Sequence, residues 1–97
     1  MGDDAERDKA IADLTEAIRL NPNRADAYFD RGGVYYRMGD YDRTVADCKE
    51  AIRLDAKFAR PYYVRGLAHE KKGETAKAKA DFEQAFDKVF KKEFIEG

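Results

Sequence analysis

Residues 25–58 read ADAYFDRGGVYYRMGDYDRTVADCKEAIRLDAKF, and residues 59–92 read ARPYYVRGLAHEKKGETAKAKADFEQAFDKVFKK. Laid over one another at an offset of 34 residues, they agree at nine positions: Ala25/Ala59, Tyr28/Tyr62, Arg31/Arg65, Gly32/Gly66, Gly39/Gly73, Ala46/Ala80, Asp47/Asp81, Ala51/Ala85 and Lys57/Lys91. The same offset carries residues 10–24 onto 44–58, where Ala12, Asp13, Glu16, Ala17, Ile18, Arg19 and Leu20 meet identical counterparts. Self-similarity at a fixed period marks a chain built from stacked units. Residues 1–97 therefore read as one domain: a half unit over 7–24, a whole unit over 25–58, and a second over 59–97 with an extended last helix.

Each whole unit reads as two helices. Gly39 and Gly73 stand mid-unit, where a left-handed residue ends a helix at low cost. Asp40 and Glu74 follow, acidic residues suited to the positive end of the next helix. Between units lie Asn21-Pro22-Asn23 and Asp55-Ala56-Lys57, short polar turns. Pro61 falls in the opening turn of its helix, where a missing N–H is tolerated. Val45, Cys48 and Ile52, with Ala46 and Ala51, recur at helical spacing. The expectation is an all-α fold of five helices over about 7–20, 25–38, 41–54, 59–72 and 75–95, with no strand.

Composition narrows the function. Hydrophobic residues make up 43% of the 97, enough for one small core. Lys+Arg number 19 and Asp+Glu 20, a net charge of −1, so the basic excess of a nucleic-acid binder is missing. No apolar run approaches the roughly 20 residues of a membrane span, and membrane insertion is not expected. The opening Met1-Gly2-Asp3-Asp4 is acidic with no apolar stretch behind it, so no signal peptide is expected. The lone Cys48 has no internal disulfide partner and points to a reducing compartment, hence a cytoplasmic location.

A helix–turn–helix of this period resembles the tetratricopeptide repeat, and the small and large places agree with it. Tyr28/Gly32 and Tyr62/Gly66 fill its early aromatic and small places. Tyr35 fills its eleventh, aromatic place, where His69 departs from the pattern. The small places of the second helix hold Ala10/Ala17, Thr44/Ala51 and Ala78/Ala85, and the large apolar place holds Leu14, Cys48 and Phe82. The closing proline is Pro22, replaced by Ala56 and Phe90 in the later units. The wording of the repeats is similar to arrays common in bacteria. The resemblance implies antiparallel helix pairs stacked as a short right-handed superhelix, and a scaffold that binds proteins rather than an enzyme.

It also implies a binding surface on the concave face, built from the first helix of each unit. Those inner places are Asp26, Phe29, Asp30, Gly33, Tyr36 and Arg37, then Arg60, Tyr63, Val64, Leu67, Glu70 and Lys71. Aromatic residues and arginine are typical of recognition hot spots. The expected partner is a protein or peptide, and the mixed charges of Asp26, Asp30, Arg60 and Lys71 suit an extended peptide of mixed charge. One mode of the family, a clamp on the C-terminal carboxylate of chaperone tails, wants Asn and Lys or Arg on this face. Asp30 stands where Asn is wanted and Val64 replaces a base, so that mode is disfavoured.

An alternative partner is a second copy, giving a homodimer or larger assembly. The half unit leaves Ile11, Leu14 and Ile18 without a preceding helix, and Phe82, Phe86, Phe90 and Phe94 fall four apart on one stripe. Ile11, Leu14, Ile18, Phe86, Phe90 and Phe94 are thus the candidate self-association residues, although the stripe also suits a capping helix. Catalytic, metal and cofactor sites are not expected. His69 occupies a packing place, and Cys48 lies in the apolar seam, where a cysteine acts as a small hydrophobe. No Cys/His cluster has metal-ligand spacing. Gly32-Gly33 matches no nucleotide fingerprint, and Asp40/Asp42 are simply a helix start.

Overall fold

The computed structural model describes the backbone of residues 2–91 and the side chains of residues 4–90. Five α-helices follow one another: α1 (Gly2–Leu20), α2 (Ala25–Met38), α3 (Tyr41–Leu54), α4 (Ala59–Lys71) and α5 (Thr75–Phe86). They form an all-α helical-repeat superhelix. Each helix packs on its neighbours in sequence, α2 also touches α4, and the particle measures 45 × 32 × 19 Å.

Two boundaries differ from the sequence expectation. The first helix begins at Gly2 rather than near residue 7, because no helix-breaking residue separates Asp3 from Ala10. Where one helix over 75–95 was expected, the last α-helix ends at Phe86 and a π turn over Asp87–Lys91 continues it; residues 92–95 lie outside the described residues. A π turn closes its hydrogen bonds one residue later than an α turn. Lys88 of this wider turn holds its ammonium 4.5 Å from the centre of the Tyr62 ring, a cation–π contact to α4.

The turns follow from particular residues. Gly39 and Gly73 have φ of 81° and 79°. At each, the next residue's N–H reaches back five residues, Asp40 to the Tyr35 carbonyl and Glu74 to the His69 carbonyl, closing a Schellman motif. A side chain at either place would be strained by its left-handed backbone. Asp40 then caps α3, its Oδ1 accepting the Arg43 N–H at 3.2 Å. The inter-unit turns repeat one device: Asn21 Oδ1 accepts the N–H of Asn23, and Asp55 Oδ1 that of Lys57.

The core is made of small residues. Ala27, Thr44, Cys48, Ala51, Ala68 and Ala78 are buried. Small side chains let two helices approach closely, and Gly32 and Gly66 bring the approach to its limit. A Cβ on Gly32 would lie 3.2 Å from Cβ of Asp47, and one on Gly66 would lie 2.6 Å from the Phe82 ring.

A pair of buried ion pairs repeats with the units. Arg31 Nε and Nη2 donate to Asp47 Oδ2 and Oδ1, both at 2.8 Å. Thirty-four residues on, Arg65 donates to Asp81 in the same fork at 2.8 and 2.7 Å. Both aspartate side chains are 7% exposed. The planar guanidinium matches a carboxylate with two parallel bonds, the strongest form of this contact. Each pair ties the first helix of a unit to the second, and the carboxylate in turn holds each guanidinium more firmly charged.

His69 has a fuller role than packing. It is buried, its Nδ1 is 3.1 Å from Glu74 Oε1, and its Nε2 is 3.7 Å from Asp81 Oδ2. It links the α4–α5 turn to the Arg65–Asp81 pair. His69, then Lys77 and Lys72, bring the Glu74 carboxyl down to about 2. Cys48 is fully buried, and loss of solvent pushes its thiol up to about 12.

Candidate functional site

The inner face of α2 and the facing residues of α4 enclose an open groove of about 470 Å³. Phe29, Gly33 and Tyr36 come from α2, and Val64 and Leu67 from α4. Asp30 and Arg37, both exposed, supply its charges. A Cβ on Gly33 would meet nothing within 4 Å, so this glycine leaves a notch in the wall. The Phe29 ring is fixed edge-on to Phe58 at 5.2 Å, and Tyr36 rests on Tyr41 at 5.5 Å. The aromatic lining is therefore held in place before any partner arrives, which lowers the entropy lost on binding.

The twelve inner-face residues named from the sequence do not form one surface. Phe29, Asp30, Gly33, Tyr36, Arg37, Val64 and Leu67 share the groove. Asp26 is turned aside: Arg24 holds it by two bonds of 3.1 and 2.8 Å and keeps its carboxyl below the usual range. Arg60 and Tyr63 face a separate apolar hollow of about 430 Å³, with Phe82, Phe86, Val89 and Phe90. Glu70, near the end of α4, lines another hollow with Thr75, Lys79 and Glu83 of α5. Lys71 is exposed at the end of α4 and lines neither.

Two groove residues were missed. Val34 stands one place beyond Gly33 in sequence, and Leu14 belongs to α1. The helical period of α2 could have suggested Val34. Leu14 extends the lining from α2 and α4 onto α1. The Arg31–Asp47 and Arg65–Asp81 pairs were also missed as pairs. Their signal was in the text, Arg and Asp sixteen apart in both units.

The candidate self-association residues divide. Ile18 is buried at 9% exposure, because α2 covers the side of α1 on which it stands, and it is a core residue rather than an open one. Ile11 and Leu14 are half-buried. Phe86 and Phe90 are 60% and 45% exposed, their rings 4.6 Å apart. Phe94 lies outside the described residues.

Among the described residues, no group of three or more His, Cys, Asp and Glu side chains is placed to hold a metal ion. No helix there is long and apolar enough to cross a membrane.

Three family models match the chain, described as "TPR repeat" over residues 6–39 and "Tetratricopeptide repeat" over 25–58 and again over 59–87. A search of curated proteins found no match. Among solved structures, MamA is similar at 39% identity and a TM-score of 0.86, the alignment covering 90% of this chain and 51% of that one. This chain thus spans about half of the MamA chain it matches. The Arabidopsis OM64 TPR domain is 32% identical with a TM-score of 0.82, covering 84% of this chain and 68% of that one. The second TPR of Spaghetti (RPAP3), solved bound to the HSP90 peptide SRMEEVD, is 28% identical with a TM-score of 0.82, covering 86% and 77%.

Proposed function

The chain belongs to the tetratricopeptide-repeat family, and on that premise we propose that it is a protein-interaction module whose α2–α4 groove holds a peptide or a partner helix. The observation that carries this reading is the preset aromatic and aliphatic lining of Phe29, Tyr36, Val64 and Leu67, with Asp30 and Arg37 at hand for polar contacts. Apolar anchors with a few charges around them are how recognition surfaces concentrate their affinity. The solved Spaghetti domain that binds an HSP90 peptide supports peptide capture by this fold. The ligand chemistry differs, because an aspartate at position 30 repels a terminal carboxylate. A peptide with an apolar residue flanked by both signs of charge fits better.

The test is to pan a peptide library on the chain and map the selected peptides by NMR. Shift changes should centre on Gly33, Tyr36, Val64 and Leu67, and Val64→Lys should weaken binding at least tenfold. Selected peptides that perturb only α5 would sink the assignment.

The second reading is self-assembly, favoured by the exposed Phe86, Val89 and Phe90 at the end of α5. Burying one Phe contributes roughly 1.5–3 kcal/mol, and apolar patches of this kind mark interfaces. On this reading, light scattering on a sizing column gives a mass above 11.1 kDa that grows with concentration. Phe90→Asp then returns it to the monomer. A monomer at every concentration counts against it.

A further inference from the structure

Four residues of α2 carry charge: Asp26, Asp30, Arg31 and Arg37. Two are engaged inside the chain, Asp26 by Arg24 and Arg31 by Asp47. Asp30 and Arg37 are exposed and, among the described residues, make no ion pair. They stand seven residues apart. On a helix rising 1.5 Å per residue that is about 10.5 Å, too far for the two to meet. Between them, Gly33 and Val34 complete an i, i+3, i+4, i+7 set on one face of the helix. Gly33 is the open notch of the groove, and Val34 beside it is half-buried.

We infer that the partner helix of this groove is α2 of a second copy of the chain, laid antiparallel along the first about a two-fold axis. This rests on the reading of the groove as the interaction face. Reversing one α2 upon the other sets Asp30 against Arg37 at both ends of the contact. It also sets Val34 of each copy over the Gly33 notch of the other, so that apolar and small residues meet at the centre. A glycine at that crossing lets the two backbones approach closely, within reach of the ion pairs. The parallel arrangement would stack Asp30 on Asp30 and Arg37 on Arg37, and like charges repel. A two-fold contact uses the same patch on both copies, so assembly through it closes at a dimer.

The spacing selects a helix as the occupant. Residues of an extended chain that point the same way lie about 6.7 or 13 Å apart, and neither matches the two charges. A helix that fits carries an acid, an apolar residue four places on and a base three further on. α2 itself supplies that order as Asp30, Val34 and Arg37. The repeat register shows why the pairing belongs to α2 and not to α4. The α4 counterparts of Asp30, Gly33 and Arg37 are Val64, Leu67 and Lys71, which offer neither the acid nor the notch. The contact is also separate from the exposed Phe86, Val89 and Phe90 of the second reading above.

The experiment is sedimentation velocity on the intact chain, carried up to millimolar concentration. The mass should rise with concentration toward twice 11.1 kDa and stop there. Asp30→Arg or Arg37→Asp alone sets like charges against each other and should weaken association at least tenfold. An equal mixture of the two single variants should associate as a one-to-one pair. The double variant Asp30→Arg/Arg37→Asp should recover the association of the parent. Both positions are exposed, so circular dichroism should show every variant folded. Gly33→Met meets open space within one chain but fills the notch that the second copy needs. It should weaken association at least tenfold without lowering the melting temperature. Phe90→Asp should leave this dimer intact. A chain that stays monomeric, a dimer indifferent to both single swaps, or a mixture that fails to pair would overturn the inference. If selected peptides still map to the groove of a monomeric chain, the groove reading stands and the α2 pairing alone falls.

Discussion

Replacing Asp47 by Asn tests the link between the repeat register and stability. The substitution keeps the shape and removes the charge that Arg31 grips at 2.8 Å through both oxygens. Unit charges about 4 Å apart attract by about 4 kcal/mol at an effective dielectric near 20. Desolvation takes part of this back. Removing one partner of a buried pair costs roughly 3–5 kcal/mol. Here Arg31 is 19% exposed and can recover some hydration, and the amide still accepts one bond. Asp47→Asn should therefore cost about 2–3 kcal/mol. In a domain of this size that lowers the melting temperature by roughly 10–20 °C. Arg31→Met should cost more, about 3–4 kcal/mol, since it strands the more deeply buried carboxylate. The double variant Arg31→Met/Asp47→Leu should return to within about 1 kcal/mol of the parent, as apolar replacements of buried pairs often do. Asp13→Asn is the internal control: it has the same register and an exposed side chain, and should cost less than about 0.5 kcal/mol. Urea unfolding followed by far-UV circular dichroism measures all four. Equal costs for Asp47→Asn and Asp13→Asn, or a double variant as damaged as the sum of its singles, would refute the reasoning.

Four further outcomes follow from the same structure. Gly66→Ala puts a Cβ 2.6 Å from the Phe82 ring and should destabilise by about 1–3 kcal/mol. Gly33→Ala meets open space within α2 and should stabilise by about 0.5–1 kcal/mol while filling the notch of the groove; thermal melts separate the two. Cys48, buried with its thiol near 12, should resist a thiol reagent at neutral pH and react only as urea unfolds the chain. Glu74 titrates at about 2 when folded against an ordinary 4.5, so the unfolded chain takes up the proton first. Its contribution is complete above pH 4.5 and disappears as pH falls through about 2. Melting temperatures across that window should slope less for Glu74→Gln than for the parent, and parallel curves would show that the His69 and lysine contacts contribute nothing.

The repeat fixed more than the helices. Once Arg31/Arg65 and Asp47/Asp81 are read as recurring at one offset, the spacing of sixteen already joins them into a pair. A sequence read for apolar periodicity passes over such a contact, because both partners look like surface residues until two helices close on them. Tyr28, Tyr62, Gly32 and Gly66 were legible because packing demands their size at each unit. The groove was legible only in part. Places on a helix face can be counted, but Arg24 draws Asp26 away, and Tyr63 packs on Phe82 of α5 rather than joining Tyr36 in the groove.

The sequence by itself determined the period, the five helices, the left-handed turns at Gly39 and Gly73 and the family, since each depends on local backbone preference and on side-chain size at fixed spacing. Tertiary structure alone decided that Ile18 is enclosed while Phe86 is open, that α5 gives way to a π turn beside Tyr62, and that Asp13 stands bare where Asp47 and Asp81 are gripped. Burial and ion pairing belong to the space between helices, and the same aspartate is a core anchor or a surface charge according to whether a neighbouring helix covers it.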